Sequence, residues 1–272
     1  MKPKTILAVL LLVVGLAACQ QEARSLNEAE TLLQQGREQI ASKQSEAAAE
    51  SFSKALLIVN RCNQDRPEVK RLKGQIEDDL GTRYWRHGLF DEALSLHTDA
   101  ANLFQEINDS ALLMTALRNC GRVTASMGDI KAAQGHYDAA LALAQALNDK
   151  DMENDILIES SRDVLLVKED YSQAIERATQ ALEGGASPDI CHLTLGLAYY
   201  YLEQDSLALT HLEEATKSRK PGTRMSAYQS LYYLYQFAGD YQKALEYHEL
   251  FNESMMLADQ ENRSEQVQRT ND

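Results

Sequence analysis

Gly121-Arg122-Val123-Thr124-Ala125-Ser126-Met127-Gly128-Asp129-Ile130-Lys131-Ala132-Ala133-Gln134-Gly135-His136-Tyr137-Asp138-Ala139-Ala140 is the stretch on which the fold turns. Small residues stand at Gly121, Ala133 and Ala140, and the large Tyr137 lies between the last two. Ala133, Tyr137 and Ala140 follow helical spacing, so they share one face. Gly128-Asp129 breaks the run: the Gly suits a helix C-terminus and the Asp an N-cap. The stretch therefore reads as one helix, a tight turn and a second helix. Its small residues let the two backbones approach, and its large one fills the space beside them.

The same offsets recur. Gly36, Ala48, Phe52 and Ala55 fit them, as do Gly81, Ala93, His97 and Ala100, and Gly196, Ala208, Leu212 and Ala215. Two looser copies are Arg162, Ala174, Ala178, Ala181 and Tyr232, Ala244, His248, Phe251. The middle alanines are spaced by 45, 40, 41, 34 and 36 residues. A period of this size is the mark of a repeat architecture, in which each unit buries its apolar face only by stacking on the next. Composition agrees: 4 Pro and 13 Gly leave long stretches of good helix formers.

This pattern resembles the tetratricopeptide repeat, a helix–turn–helix unit of about 34 residues. The resemblance covers residues 27 to 258, with units beginning near Ala29, Gly74, Met114, Asp155, Asp189 and Met225. It implies an all-α chain: a right-handed α-solenoid of about six repeats closed by a C-terminal capping helix, roughly Tyr241 to Arg263. Pro67 and Ser187-Pro188-Asp189 read as helix starts, and Glu68 to His87 as the long first helix of repeat two. Asn108-Asp109 and Asn148-Asp149 mark breaks between units. The polar end, Glu261 to Asp272, is expected to fray.

The first residues carry a different signal. Lys2 and Lys4 precede a short apolar run, Ile6 to Ala18, which suits a leader peptide better than a membrane span. Leu16-Ala17-Ala18-Cys19 resembles a bacterial lipobox. That resemblance implies cleavage before Cys19 and acylation of it with palmitate-type chains, enough together for firm anchoring. The chain then divides into a signal peptide (1–18), a linker (19–28), the repeat array (29–258) and a polar tail (259–272). Gln20-Gln21 lacks the Asp that marks inner-membrane retention, which points to the outer membrane.

Charge narrows the partners. The full chain has a formal charge of −14, and −16 once Lys2 and Lys4 leave with the leader. Nucleic-acid binding needs a basic footprint, so none is expected. Cys62, Cys120 and Cys191 remain after Cys19; their spacing reads as buried thiols, with a single disulfide as the alternative.

In proteins of the family the first helix of each repeat lines a groove. Those positions here hold Asp78, Thr82, Trp85, Arg86, Arg118, Arg122 and Ser126 in repeats two and three. In repeats five and six they hold Leu193, Leu197, Tyr200, Tyr201, Gln229, Tyr233 and Phe237. The first set, with the single Trp, suits a carboxylate-bearing ligand. The second suits an apolar or extended one. Arg118 and Arg122 could instead pair with Glu159 or Asp163. Tyr200, Tyr201 and Tyr233 could instead lie under the C-terminal helix. The peptide-binding candidates are thus Trp85, Arg86, Arg118, Arg122, Tyr200, Tyr201, Tyr233 and Phe237.

No catalytic, cofactor or metal site is expected. The histidines at 87, 97, 136, 192, 211 and 248 show no i, i+4 pair, and His97 and His248 are read as packing residues. No Gly-rich phosphate loop and no nucleophile elbow occurs. The expected function is a lipid-anchored adaptor that binds a protein or peptide. The alternative is a stand-alone sensor, since Tyr228 to Met255 is similar to the last repeats of sensor regions in Bacteroidota signalling proteins. A cell-wall hydrolase is the remaining reading.

Overall fold

The computed structural model describes residues 3–165 and 171–271, and the side chains of 20–163 and 171–257 among them. The described residues form helices only: α1 (Pro3–Ala41), α2 (Ser45–Val59), α3 (Pro67–Arg86), α4 (Phe90–Glu106), α5 (Ser110–Ser126) and α6 (Ile130–Leu147). They continue with α7 (Lys150–Leu165), α8 (Tyr171–Glu183), α9 (Pro188–Tyr201), α10 (Asp205–Ala215), α11 (Pro221–Phe237) and α12 (Tyr241–Asn271). These are paired, odd with even, in the six repeats read from the sequence. The side chain of Cys19 lies outside the described ones. Among the described residues no helix is long and apolar enough to cross a membrane.

The chain forms two compact units, Met1–Leu143 and Ala144–Asp272. In unit 1, α1 packs on α2 and α3 on α4 as hairpins, while α2 and α4 each meet the first helix of the next repeat. In unit 2 the same pattern joins α7 to α8, α9 to α10 and α11 to α12, with α8 on α9 and α10 on α11. First helices also touch one another, α3 with α5 in unit 1, and α7 with α9 and α9 with α11 in unit 2.

Residue size drives the hairpin packing. A Cβ added at Gly121 would stand 2.9 Å from the Tyr137 ring, one at Gly81 3.0 Å from His97, and one at Gly196 2.7 Å from Leu212. Gly36 faces Phe52 in the same way. Each pair is sixteen residues apart, so each of these four glycines receives the large residue of its own second helix. Ala48, Ala93, Ala133, Ala174 and Ala208 are buried, as are Ala55, Ala100, Ala140, Ala181 and Ala215. Gly74 adds a contact outside the motif, against Phe104.

The turns follow the expected chemistry. Gly128 and Gly239 have φ of 86° and 78°, the left-handed region that Gly enters at no steric cost. Asn108 and Asn148, at 56° and 55°, do the same between repeats. Asp109, Asp129, Asp149 and Asp240 each accept from the backbone N–H three residues on, at 3.0–3.2 Å.

Three differences from the sequence reading stand out. Helix α3 runs Pro67–Arg86, close to the expected 68–87, but every first helix after repeat one starts before the family frame, by up to seven residues at Pro67. Ser187 makes no side-chain cap on α9; its hydroxyl donates to Asp189, which also receives Ser218. Helix α12 continues to Asn271, past Arg263.

His248 departs further from its expected packing role. It is exposed, because its partner position holds Tyr232 instead of Gly. The two rings meet side by side at 5.1 Å where a buried plug would need a glycine opposite. His97 does fill its slot and is fully buried.

Candidate interaction site

The first helices of the two units present different faces. In unit 1 the polar side chains bond to one another. His97 Nδ1 lies 2.6 Å from Asp78 Oδ1, which ties the two helices of repeat two. Asn119 Nδ2 donates to both Asp78 oxygens at 3.1 Å, joining α5 to α3. Trp85 Nε1 donates to Ser126 Oγ at 2.9 Å. Both cross-links span 41 residues, one more than the 40-residue spacing of repeats two and three, so they act as rungs between neighbouring turns of successive repeats.

Arg122 completes this network. Its guanidinium lies 4.2 Å from the centre of the Trp85 ring, and its Nη1 reaches Asn119 Oδ1 at 3.4 Å. Stacking of this kind occupies the cation face of the ring. Of the four sequence candidates here, Trp85 and Arg122 are therefore engaged within the stack. Arg118 is half-buried and Arg86 exposed. The residue missed by sequence reading is Asn119. It stands one residue past Arg118, the groove position that corresponds to Asp78, so the repeat spacing did not single it out.

In unit 2 the corresponding face is aromatic and open. Tyr201 is 46 % exposed, Tyr233 41 % and Phe237 82 %, while Tyr200 is half-buried. Helix α12 leaves Tyr201, Tyr233 and Phe237 exposed, while Tyr200 packs on the core cluster that includes Ala244 of α12. Tyr201 stacks on Tyr171 at 5.1 Å and meets Tyr200 edge-on at 5.4 Å. Tyr233 leans on Tyr232 at 5.0 Å. Burial, with the neighbouring Tyr201 and Tyr233, raises the Tyr200 phenol above its usual range, so it stays a neutral donor at physiological pH.

A cleft of about 400 Å³ opens between α7, α9 and α11. Leu193, Leu197 and Tyr201 line it from α9, Thr223 and Ser226 from α11, and Arg162 from α7. It thus gathers three of the sequence-predicted groove residues with Arg162, which the sequence reading placed in a packing slot.

Elsewhere the ionisable groups follow burial. Burial pushes the Cys120 and Cys191 thiols up to about 11, so neither is a ready nucleophile. All three described cysteines are free and buried. Glu77, buried in α3, is raised to about 7 by desolvation; Lys73 opposes this at 3.7 Å and Asp99 adds to it. Its Oε2 has no hydrogen-bond partner among the described residues. Among the described residues no group of three or more His, Cys, Asp or Glu side chains is placed to hold a metal ion.

Residues 74–146 match the family model of the tetratricopeptide repeat. No curated protein matches the chain in sequence. Solved structures match in fold. A signal-transduction ATPase with a tetratricopeptide-repeat sensor from Pyrococcus horikoshii superposes with a TM-score of 0.70 at 16 % identity, over 88 % of this chain and 38 % of that one. Aspartyl phosphate phosphatase F from Bacillus subtilis gives 0.61 at 13 %, over 85 % and 60 %. A Rap protein in complex with competence and sporulation factor gives 0.58 at 16 %, over 86 % and 66 %. The chain thus spans less than two thirds of the length of each of these three structures. The helix pairing, the glycine–large-residue contacts and these likenesses agree on the fold: residues 74–146 match the tetratricopeptide repeat, and the described helices pair as all-α hairpins of that type.

Proposed function

We propose that this chain is a membrane-anchored adaptor that binds a protein or peptide through the first-helix face of unit 2. The observation that carries the reading is the exposure of Phe237, Tyr233 and Tyr201 beside an apolar cleft. Large rings left in water cost free energy that a partner can recover, and aromatic anchors dominate many interfaces. The unit 1 face is a poorer site, since its Trp and Arg122 are already engaged with Ser126, Asn119 and each other. The Rap protein solved with competence and sporulation factor illustrates a ligand held by a chain of similar fold.

The anchor in this proposal is a lipidated Cys19, supported by Leu16-Ala17-Ala18-Cys19, with the outer membrane as its site. Two measurements test the reading. Cys19→Ser should move the chain from the membrane fraction to the soluble one. Tyr201→Ser with Phe237→Ser should abolish capture of envelope proteins by the purified chain while leaving its melting temperature unchanged. Capture that survives both substitutions would move the site elsewhere, and retrieval of a membrane kinase in place of assembly proteins would favour the sensor.

A further inference from the structure

The unit 2 cleft carries an asymmetry that specifies its occupant, on the reading that this face binds protein. In repeat four the sizes of the motif are exchanged. Arg162 stands where repeats one, two, three and five have Gly, and Ala178 where they have the large residue. Ala178 is fully buried, so the hairpin closes on a small side chain, while Arg162 is exposed.

Arg162 lines the 400 Å³ apolar cleft, which has no acid among its lining residues in a chain with 41 of them. It also lines a second cleft of about 430 Å³, which holds Asp151, Asp155 and Glu159 with Lys220 and shares Ile190; Asp155 and Glu159 are already engaged, which leaves Asp151 as the acid toward which a base would lie. Among the described residues Arg162 makes no hydrogen bond or ion pair. Arg162 thus stands between an apolar compartment and one in which three acids outnumber the single further base, Lys220.

We infer that unit 2 reads an extended partner segment in which an apolar side chain, a carboxylate and a basic side chain follow one another. The apolar group would enter between Leu193 and Leu197, the carboxylate would meet the Arg162 guanidinium, and the base would lie toward Asp151. A guanidinium offers paired donors that match a carboxylate, and charge-assisted hydrogen bonds of this kind are about twice as strong as neutral ones. The acidic compartment disfavours any segment that carries a second carboxylate past Arg162.

The test uses the whole mature chain and capped, fluorescein-labelled peptides read by fluorescence anisotropy. The reference peptide has two leucines, one glutamate and two lysines in that order. Replacing its glutamate by glutamine should weaken binding about tenfold, and Arg162→Ala should bind both peptides equally. Moving the lysines ahead of the leucines should also weaken binding. Equal affinity of the wild-type chain for the glutamate and glutamine peptides would overturn the inference. So would a preference that survives in Arg162→Ala, indifference to lysine position, or no saturable binding at millimolar peptide. Those results would leave capture through Tyr201 and Phe237 standing, so the two proposals fail separately.

Discussion

Units 1 and 2 are built from the same hairpin, yet they use their first helices in opposite ways. In unit 1, Asp78, Asn119, Trp85, Ser126 and Arg122 satisfy one another across the repeat boundary. In unit 2 the equivalent helices offer Tyr201, Tyr233 and Phe237 to solvent and leave Arg162 without a partner among the described residues. A repeat protein is stabilised mainly by nearest-neighbour interfaces. Side chains used as rungs strengthen that interface, and side chains withheld from it are available to a ligand. On the proposed function, the two units separate stacking from recognition.

The largest expected effect comes from the packing slot itself. Phe52→Ala should cost about 3–5 kcal/mol in urea unfolding, because it empties the space opposite Gly36. The matching change in unit 2, His248→Ala, should stay within about 0.5 kcal/mol, the range for an exposed position. A cost for His248→Ala as large as that for Phe52→Ala would show that repeat six is closed like repeat one.

Next comes Glu77, a buried acid of unit 1. Its folded-state pKa is raised to about 7 from an ordinary 4.5. The native state then holds the proton more tightly than the unfolded one. The associated stability is fully present below pH 4.5 and is lost as pH rises through 7. Glu77→Gln keeps the neutral form, so it should gain about 2 kcal/mol at pH 8 and little at pH 4. A gain that does not change with pH would place its cause outside this titration.

The rungs are expected to be smaller. Asn119→Ala should cost about 1–2 kcal/mol, since it removes two hydrogen bonds to a carboxylate. Trp85→Phe combined with Ser126→Ala should show a coupling of about 0.5–1 kcal/mol in a double-mutant cycle. Zero coupling would mean that this rung does not hold the stack. Smallest of all, Phe237→Ala should leave stability within about 0.5 kcal/mol and act on ligand binding alone.

The fold was legible because its rule is one of size at fixed spacing. A glycine and the large residue sixteen positions later pack in Gly36–Phe52, Gly81–His97, Gly121–Tyr137 and Gly196–Leu212 alike. The same rule, applied strictly, would have flagged repeat six, where Tyr232 stands in the glycine position and His248 is pushed out. Part of the site was also legible: Leu193, Leu197 and Tyr201 occupy groove positions and do line the cleft. The role of Asn119 was hidden, because a hydrogen bond between equivalent helices leaves no periodic trace within either one. Arg162 was hidden for a related reason. Its slot is a packing position in other repeats, and only the exchange of sizes with Ala178 turns the side chain outward.

On the proposed function, unit 2 recognises and unit 1 stacks. Site-specific photo-crosslinking in intact cells tests it most directly, with a photoreactive phenylalanine analogue placed in turn at Phe237, Tyr201, Trp85 and Arg86. Positions 237 and 201 should give one discrete adduct of the same mass, and 85 and 86 none. Adducts from 85 and 86 with none from 237 or 201 would contradict it.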